Sequence, residues 1–445
     1  MNVARLRARL IEGGNSGTFG PFLTGGIALI AIGAALFGYA LTTDHAERAW
    51  HLFHVNWLFF TGIAGGSVAL AAVHKLANAK WSGVLIRMAE AHVFFAVVSI
   101  LGLIVIFTVG YEPIYGHMHE QLHSLSHGKA LWLSKPFMFG RLLVGLVALF
   151  WVGWQLVRAD LVPDMHVALG SVPGDRQSRY QALTAGFDTS DAGRRAHHAR
   201  INRLAAVYVV LYALVFTLVA FDGIMALQPH WFSNLLGGWY FMGSFLGAHT
   251  CLAIIMLYAR GHLGISDLVS PKQRHDLGKL MFGFTVFWTY LMWAQFLVIW
   301  YGNLPEETGF VFARLWGPWM PVGRAVFVGM FLVPFWGLLF VVAKKTPLTL
   351  GLFALVSLVS LWLERYLLVL PSVTLEAGPV FGLPEIGPTL LMLGLFLFCY
   401  ASFARRFPMV SPRLAEITLG LEAEHGHGHE FGHEADAGDF ATSNG

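Results

Sequence analysis

Ten apolar runs, each long enough to cross a hydrocarbon layer as a helix, constrain this chain more than any other feature of its 445 residues. A bilayer core needs about 20 consecutive helical residues, and a spanning segment must satisfy its own backbone polar groups. The runs lie near residues 21–42, 52–74, 85–110, 137–157, 204–226, 235–259, 278–301, 324–343, 347–370 and 387–404. Composition agrees: 56% of residues are hydrophobic and only 12% charged, the profile of a chain whose solvent is lipid. The expected fold is an all-α integral membrane protein. The net charge of +3 is divided by membrane side and forms no patch, which argues against nucleic acid as a partner. Cys251 and Cys399 both fall in apolar runs, which fits neither a disulfide framework nor a thiolate metal site.

Lysine and arginine alternate by loop. Arg5 to Arg9, Lys75/Lys80/Arg87, the stretch from Arg158 to Arg203, Arg260/Lys272/Arg274/Lys279, Lys344/Lys345 and Arg405/Arg406/Arg413 all fall on one side. The positive-inside bias makes that side cytoplasmic and predicts a multi-pass protein with both termini in the cytoplasm. The opposite loops carry Glu306, Glu307, Glu376 and Glu385. The run that follows Arg5, Arg7 and Arg9 is too long for a secretory h-region and reads as an uncleaved anchor.

The longest interruption, residues 158–203, separates two halves that echo one another. "GRLLVGLVALFWVGW" in the fourth run answers "GRAVFVGMFLVPFWG" in the eighth, and "WLFFTGIAGGSVAL" in the second answers "WYFMGSFLGAHTCL" in the sixth. Small residues at such spacing let helices approach closely in lipid. The predicted organisation is a cytoplasmic segment 1–20, a peripheral helix in 21–50, a first four-helix bundle in 51–226 carrying the cytoplasmic loop 158–203, and a second four-helix bundle in 227–370. A tenth, peripheral helix follows in 371–404, and 405–445 is a cytoplasmic His-rich tail expected to be disordered.

Ionisable groups inside a bilayer are costly and face a protein interior, a partner or water. Glu90 and His92 stand near the start of the third run, with Arg87 placed to pair with Glu90 at i,i+3, as a surface salt bridge or a proton entry. Asp222 ends the fifth run with no basic neighbour in sequence, so its partner must come from another helix or from water. Glu364 and Arg365 are adjacent and point about 100° apart, which disfavours an ideal mutual pair, so at least one should have a partner on another helix. His249 lies midway along the sixth run. In the seventh, Asp276 is expected at the positive end of the helix dipole with Lys279 as its i,i+3 partner. Thr285, Trp288, Met292 and Gln295 then share a stripe with Tyr290 to one side, the wall of a hydrated proton path. Arg141 and Arg324 occupy matching ends of the fourth and eighth runs, to snorkel or to pair with Glu306, Glu307 or Asp222.

His119, His123 and His127 recur at i, i+4 and i+8 in the loop 117–127, but no fourth ligand is specified and Gly128 breaks the pattern, so no metal site is expected. The Gly-interrupted histidines of the tail specify no ordered site either.

"FDGIMALQPHWFSNLLGGWYFMGSFLGA", "HDLGKLMFGFTVFWTYLMWAQFLVIWYGNLPEE" and "KALWLSKPFMFGR" resemble the NrfD/polysulfide-reductase family of membrane subunits, and within it the second NrfD-like subunit of bacterial alternative complex III. The resemblance spans roughly residues 50–370. It implies a ten-helix subunit, in a bacterial inner membrane, of a quinol:cytochrome c, or other electron acceptor, oxidoreductase that supports quinol oxidation and translocates protons. The implied partners are a sister NrfD-like subunit, an iron–sulfur protein and a c-type cytochrome, with haem c and iron–sulfur clusters in those chains and menaquinol or ubiquinol as the quinone. His54 and Arg141 are then the candidate quinol contacts. The chain has no C-x-x-C-H, no cysteine series and no Gly-rich phosphate loop, so no cofactor of its own is expected. At the end of the third run, "LIVIFTVGYEPIY" puts Phe107 and Val109 where the sister subunit carries a histidine, while "WLERYLLVLPSV" is closer to the sister, the quinol-binding alternative assignment. Two other classes compete: a structural anchor for redox subunits, and an independent transporter suggested by the internal repeat.

Overall fold

Each apolar run becomes one long helix in the computed structural model, which describes residues 17–170, 172, 174–263, 265–374 and 378–413 together with residues 10 and 415. Ten helices among the described residues are long and apolar enough to span a membrane, and there is no strand: α1 Gly20–Ala40, α2 Ala46–Leu76, α3 Ile86–Thr108, α4 Lys135–Ala168, α5 Asp191–Leu227, α6 Leu236–His262, α7 Pro271–Gly302, α8 Gly317–Leu339, α9 Pro347–Val373 and α10 Leu383–Ala404. The fold is that of an all-α, multi-pass membrane protein. One end of the helices carries most of the basic loops and is called the basic end below.

Several boundaries differ from expectation for local reasons. The loop expected over 158–203 is largely helical. The apolar "DLVPDMHVA" lets α4 continue to Ala168 despite Pro163, Gly174–Thr184 forms a helix, and Ser190 starts α5 early by accepting the Gly193 N–H at 3.1 Å. Ser270 and Gln273 form a capping box that begins α7 at Pro271, so Asp276 sits in the second turn, past the reach of the helix-end charge where it was expected. α8 stops at Leu339, where Phe340 is extended, and the short helix Val341–Lys345 follows. Residues 405–413 are not the start of a free tail: Phe407, Met409, Val410 and Ser411 are buried against the helices. The His-rich residues 416–445, the basic Arg5, Arg7 and Arg9, and Glu376 lie outside the described residues.

α2 is the axis of the molecule and is buried nearly from end to end, packed by α3, α5, α6, α9 and α10. Its glycines make this possible: a Cβ on Gly66 would stand 2.7 Å from the Ser244 carbonyl oxygen of α6. α4 closes on α3 and α5, α7 on α6, and α8 on α7 and α9. α1 packs chiefly on α10, where a Cβ on Gly33 would meet the Leu391 backbone nitrogen at 2.3 Å. Lipid-facing surfaces are apolar, with Val144, Trp151, Val298 and Trp336 exposed.

Candidate functional site

The extension of α4 brings two aspartates under the basic end of α2 and α3. Lys75 Nζ lies 2.7 Å from Asp160 Oδ1 and 3.0 Å from Glu90 Oε1. Arg87 reaches Glu90 Oε2 at 2.9 Å, Asp160 Oδ2 at 2.8 Å and Asp164 Oδ2 at 2.7 Å. The segment after α10 closes this group: Ser411 Oγ donates to Asp164 Oδ1 at 2.8 Å, and Arg413 stands 3.9 Å from Asp160 at the rim. The expected Arg87–Glu90 pair therefore exists but is wholly buried, not a surface bridge. Three carboxylates face three cations. A cavity of about 230 Å³ lined by His74, Lys75, Asp160, His198, Asn202 and Arg413 adjoins the group.

From this group a histidine pair leads into the second half of the molecule. His74 of α2 and His249 of α6 have ring centroids 6.5 Å apart; His249 Nδ1 bonds the Phe245 carbonyl at 2.8 Å, and His74 Nδ1 is buried without a partner. Glu364 and Arg365 of α9 stand against another stretch of α6, where Arg365 meets Tyr240 and Ser244. Contrary to the sequence expectation, they pair directly, because both side chains are long enough to bend toward each other across their angular offset. Each also has partners on other helices: Trp288 Nε1 donates to Glu364 Oε1 at 3.4 Å, and Arg365 Nη2 donates to the Tyr240 carbonyl at 3.1 Å and Ser244 Oγ at 3.2 Å. His249 and Ser244 are five residues apart on one helix, about 7.5 Å of rise.

The seventh helix contributes only part of its expected stripe. Thr285, Trp288 and Gln295 are buried, Thr285 Oγ1 without a partner, and Gln295 Oε1 accepts from Ser233 Oγ at 2.8 Å. Tyr290 is 60% exposed on the outer face and is no part of an internal path, since its position on the helix turns it away from α6 and α9. Asp276 and Lys279 pair at 2.7 Å as expected, on the surface. His92 packs its ring on Phe396 and Tyr400 of α10, with Nδ1 bonded to the Ala89 carbonyl and Nε2 facing Cys251 Sγ at 3.7 Å, which makes it a packing residue.

Asp222 finds its partner on another helix. Arg141 of α4 grips it at both oxygens, Nε to Oδ2 at 2.8 Å and Nη2 to Oδ1 at 2.5 Å, and spends Nη1 on the Trp132 carbonyl at 2.7 Å. His54 Nε2 bonds the Gly223 carbonyl at 2.7 Å, and its ring stacks beside Trp57 and Tyr115. Arg141 is thus committed to Asp222 and Trp132 and His54 Nε2 to Gly223, while His54 Nδ1 is buried with no hydrogen-bond partner. The same end holds the exposed His123 and His127. The helix Tyr111–Gln121 stops before them, so the i, i+4, i+8 face is not continuous, and no group of three or more metal-ligating residues occurs among the described residues.

Sequence reasoning missed Lys75, Asp160 and Asp164 as site residues and counted His74 not at all. The aspartates were legible as an i,i+4 pair inside an apolar stretch; nothing local marks Lys75 or His74. No protein-family model matches the chain, and no curated protein matches it.

Proposed function

We propose that this chain is the proton-conducting membrane subunit of an NrfD-type quinol:electron acceptor oxidoreductase, with the basic end in the cytoplasm and the redox centres in partner subunits. The observation that carries the reading is the buried group Lys75, Arg87, Glu90, Asp160 and Asp164, which adjoins a polar cavity and stands in line with His74, His249 and Glu364/Arg365. A scaffold gains nothing from such groups: burying ions costs several kcal/mol each, and apolar side chains of similar volume would hold the helices as well or better. Inside a bilayer, ionisable chains of this kind mark routes for protons or ions. In this route the carboxylates near the cavity exchange protons with the cytoplasm, the histidine pair and water relay them, and Glu364 stores them beside Arg365. Quinol oxidation on a partner supplies the driving reaction; this chain's own residues hold and move protons.

The test starts from the complex recovered through a tagged chain. Mass spectrometry should find haem-bearing and cluster-bearing partners, and their absence would sink the assignment. Glu364→Gln and Glu90→Gln complexes that keep their haem and cluster content should lose proton translocation in vesicles by about a hundredfold, the size of a missing acid–base group at its lower limit. Variants that assemble, turn over quinol and move protons at the parental rate would leave the anchor reading in its place.

A further inference from the structure

A cavity of about 520 Å³ opens between α7, α8 and α9, at the end opposite the basic one; Glu364 of the proton route stands in its wall, and the rest of that route and the other ion groups lie outside it. Its walls are aromatic and aliphatic, including Trp239, Trp288, Phe296 and Leu367. Trp293, Phe327 and Val328 are exposed at its rim, so it opens to the surface that faces lipid. A hollow of this size and lining suits a hydrocarbon chain.

Its polar groups specify the rest of the ligand. Arg314, in the helix Pro305–Leu315 that joins α7 to α8, is 4% exposed. Its Nη1 donates to the Phe310 carbonyl at 2.9 Å, and Nη2 donates to the Leu368 carbonyl at 2.7 Å and Ser372 Oγ at 2.6 Å, while the buried Nε has no partner. The guanidinium lies over the Phe310 ring, which stacks in turn on Trp231 at 3.6 Å, so it is held rigidly. Arg324 of α8 also lines the cavity. Among the described residues no carboxylate lies within ion-pair distance of either arginine, and the one acid in the wall, Glu364, is committed to Arg365. Burial without a counter-charge pushes the Arg314 guanidinium pKa well down from its ordinary value. Trp239 adds a buried indole N–H with no acceptor.

Two uncompensated guanidiniums at the level where α7 ends and α8 begins call for an anion at headgroup depth, and the free indole N–H calls for a carbonyl just below it. We propose that this cavity binds an anionic phospholipid, its phosphate between Arg314 and Arg324, an ester carbonyl at Trp239 and one acyl chain in the aromatic hollow. Arginine forks match phosphate oxygens in charge and geometry. Arg324 is exposed, and an arginine side chain is long enough to snorkel to the headgroup layer. The site borders the proton route at Glu364 but is read from Arg314, Arg324 and Trp239, which that route does not use.

The full chain purified in detergent, stripped of lipid and titrated with dioleoylphosphatidylglycerol or dioleoylphosphatidylcholine under native mass spectrometry tests the site. The anionic lipid should bind at least about tenfold more tightly, the worth of one charge-assisted hydrogen bond. Arg324→Gln, an exposed position, should erase most of that preference, and Val311→Trp, which fills the hollow, should reduce retention of the anionic lipid while the lipid-free melting curve stays parental. Arg314→Gln should do the same, with Arg324→Gln deciding if it fails to fold. Equal retention of the two lipids, an anionic preference unchanged in Arg324→Gln and Val311→Trp, displacement of the lipid by inorganic phosphate alone, or displacement by equimolar neutral decylubiquinone would each overturn the assignment.

Discussion

Asp222 and Arg141 show what a buried charge requires of its surroundings. The carboxylate is fully buried and the guanidinium side chain only 10% exposed, so each has given up its water for the other. Asp222→Asn strands the arginine and should cost about 3 kcal/mol, the lower range for breaking a buried pair. Removing both charges as Asp222→Leu with Arg141→Met should recover most of it. Thermal melting of the two variants in one detergent checks this, and an Asp222→Asn protein as stable as the parent would show that water already serves the pair. The pair also marks a limit of sequence reading. Arg87–Glu90 is visible at i,i+3, whereas Arg141 and Asp222 are 81 residues apart: matching helix ends made Asp222 one of three acids expected for Arg141, and only the fold selects it over Glu306 and Glu307. For Glu364–Arg365 the expected partners on other helices are present, but the two also pair with each other: the angular rule holds for side chains that stand straight out, and two long ones need not.

At the scale of elements, α1 and α10 are held by backbone contact. Gly33 and Gly26 on α1 face Leu391 and Gly394 on α10, and a Cβ on Gly33 would overlap backbone atoms that cannot rotate away. Gly33→Ile should therefore destabilise by about 1–3 kcal/mol or separate the two helices, while Gly25→Ile, whose Cβ meets nothing within 4 Å, should be silent. Engineered cysteines across the α1–α10 contact report the separation through lost cross-linking, and equal cross-linking in both variants would refute the packing argument. All ten helices were legible because apolar length is a local property. Their ends were not always so: Ser270 and Ser190 are capping signals that extend α7 and α5 beyond the apolar run, and α4 continues through Pro163 because burial of Leu161 and Met165 outweighs the lost hydrogen bond. The central place of α2 could not be read from its pattern, since a helix buried all round shows no periodic face.

At the scale of the whole molecule, the distribution of charge sets orientation and path together. Lys272, Lys279, Lys345 and Arg405 share one end with the buried group of Lys75, Arg87, Glu90, Asp160 and Asp164, while Glu306, Glu307 and Glu385 mark the other. Basic loops resist translocation, so the basic end should remain in the cytoplasm and the cavity beside Lys75 should draw protons from there. This ties two measurements to one arrangement. A reporter active only outside the cytoplasm should be active when fused after residue 45, between α1 and α2, and again after residue 303, but silent after residue 170 and after residue 413. Vesicles with the same orientation should show uptake on the face that carries Lys75, abolished by Glu90→Gln. The opposite reporter pattern would invert the path, because the ion group and the cavity are fixed to α2, α3 and α4 and cannot change sides without the loops.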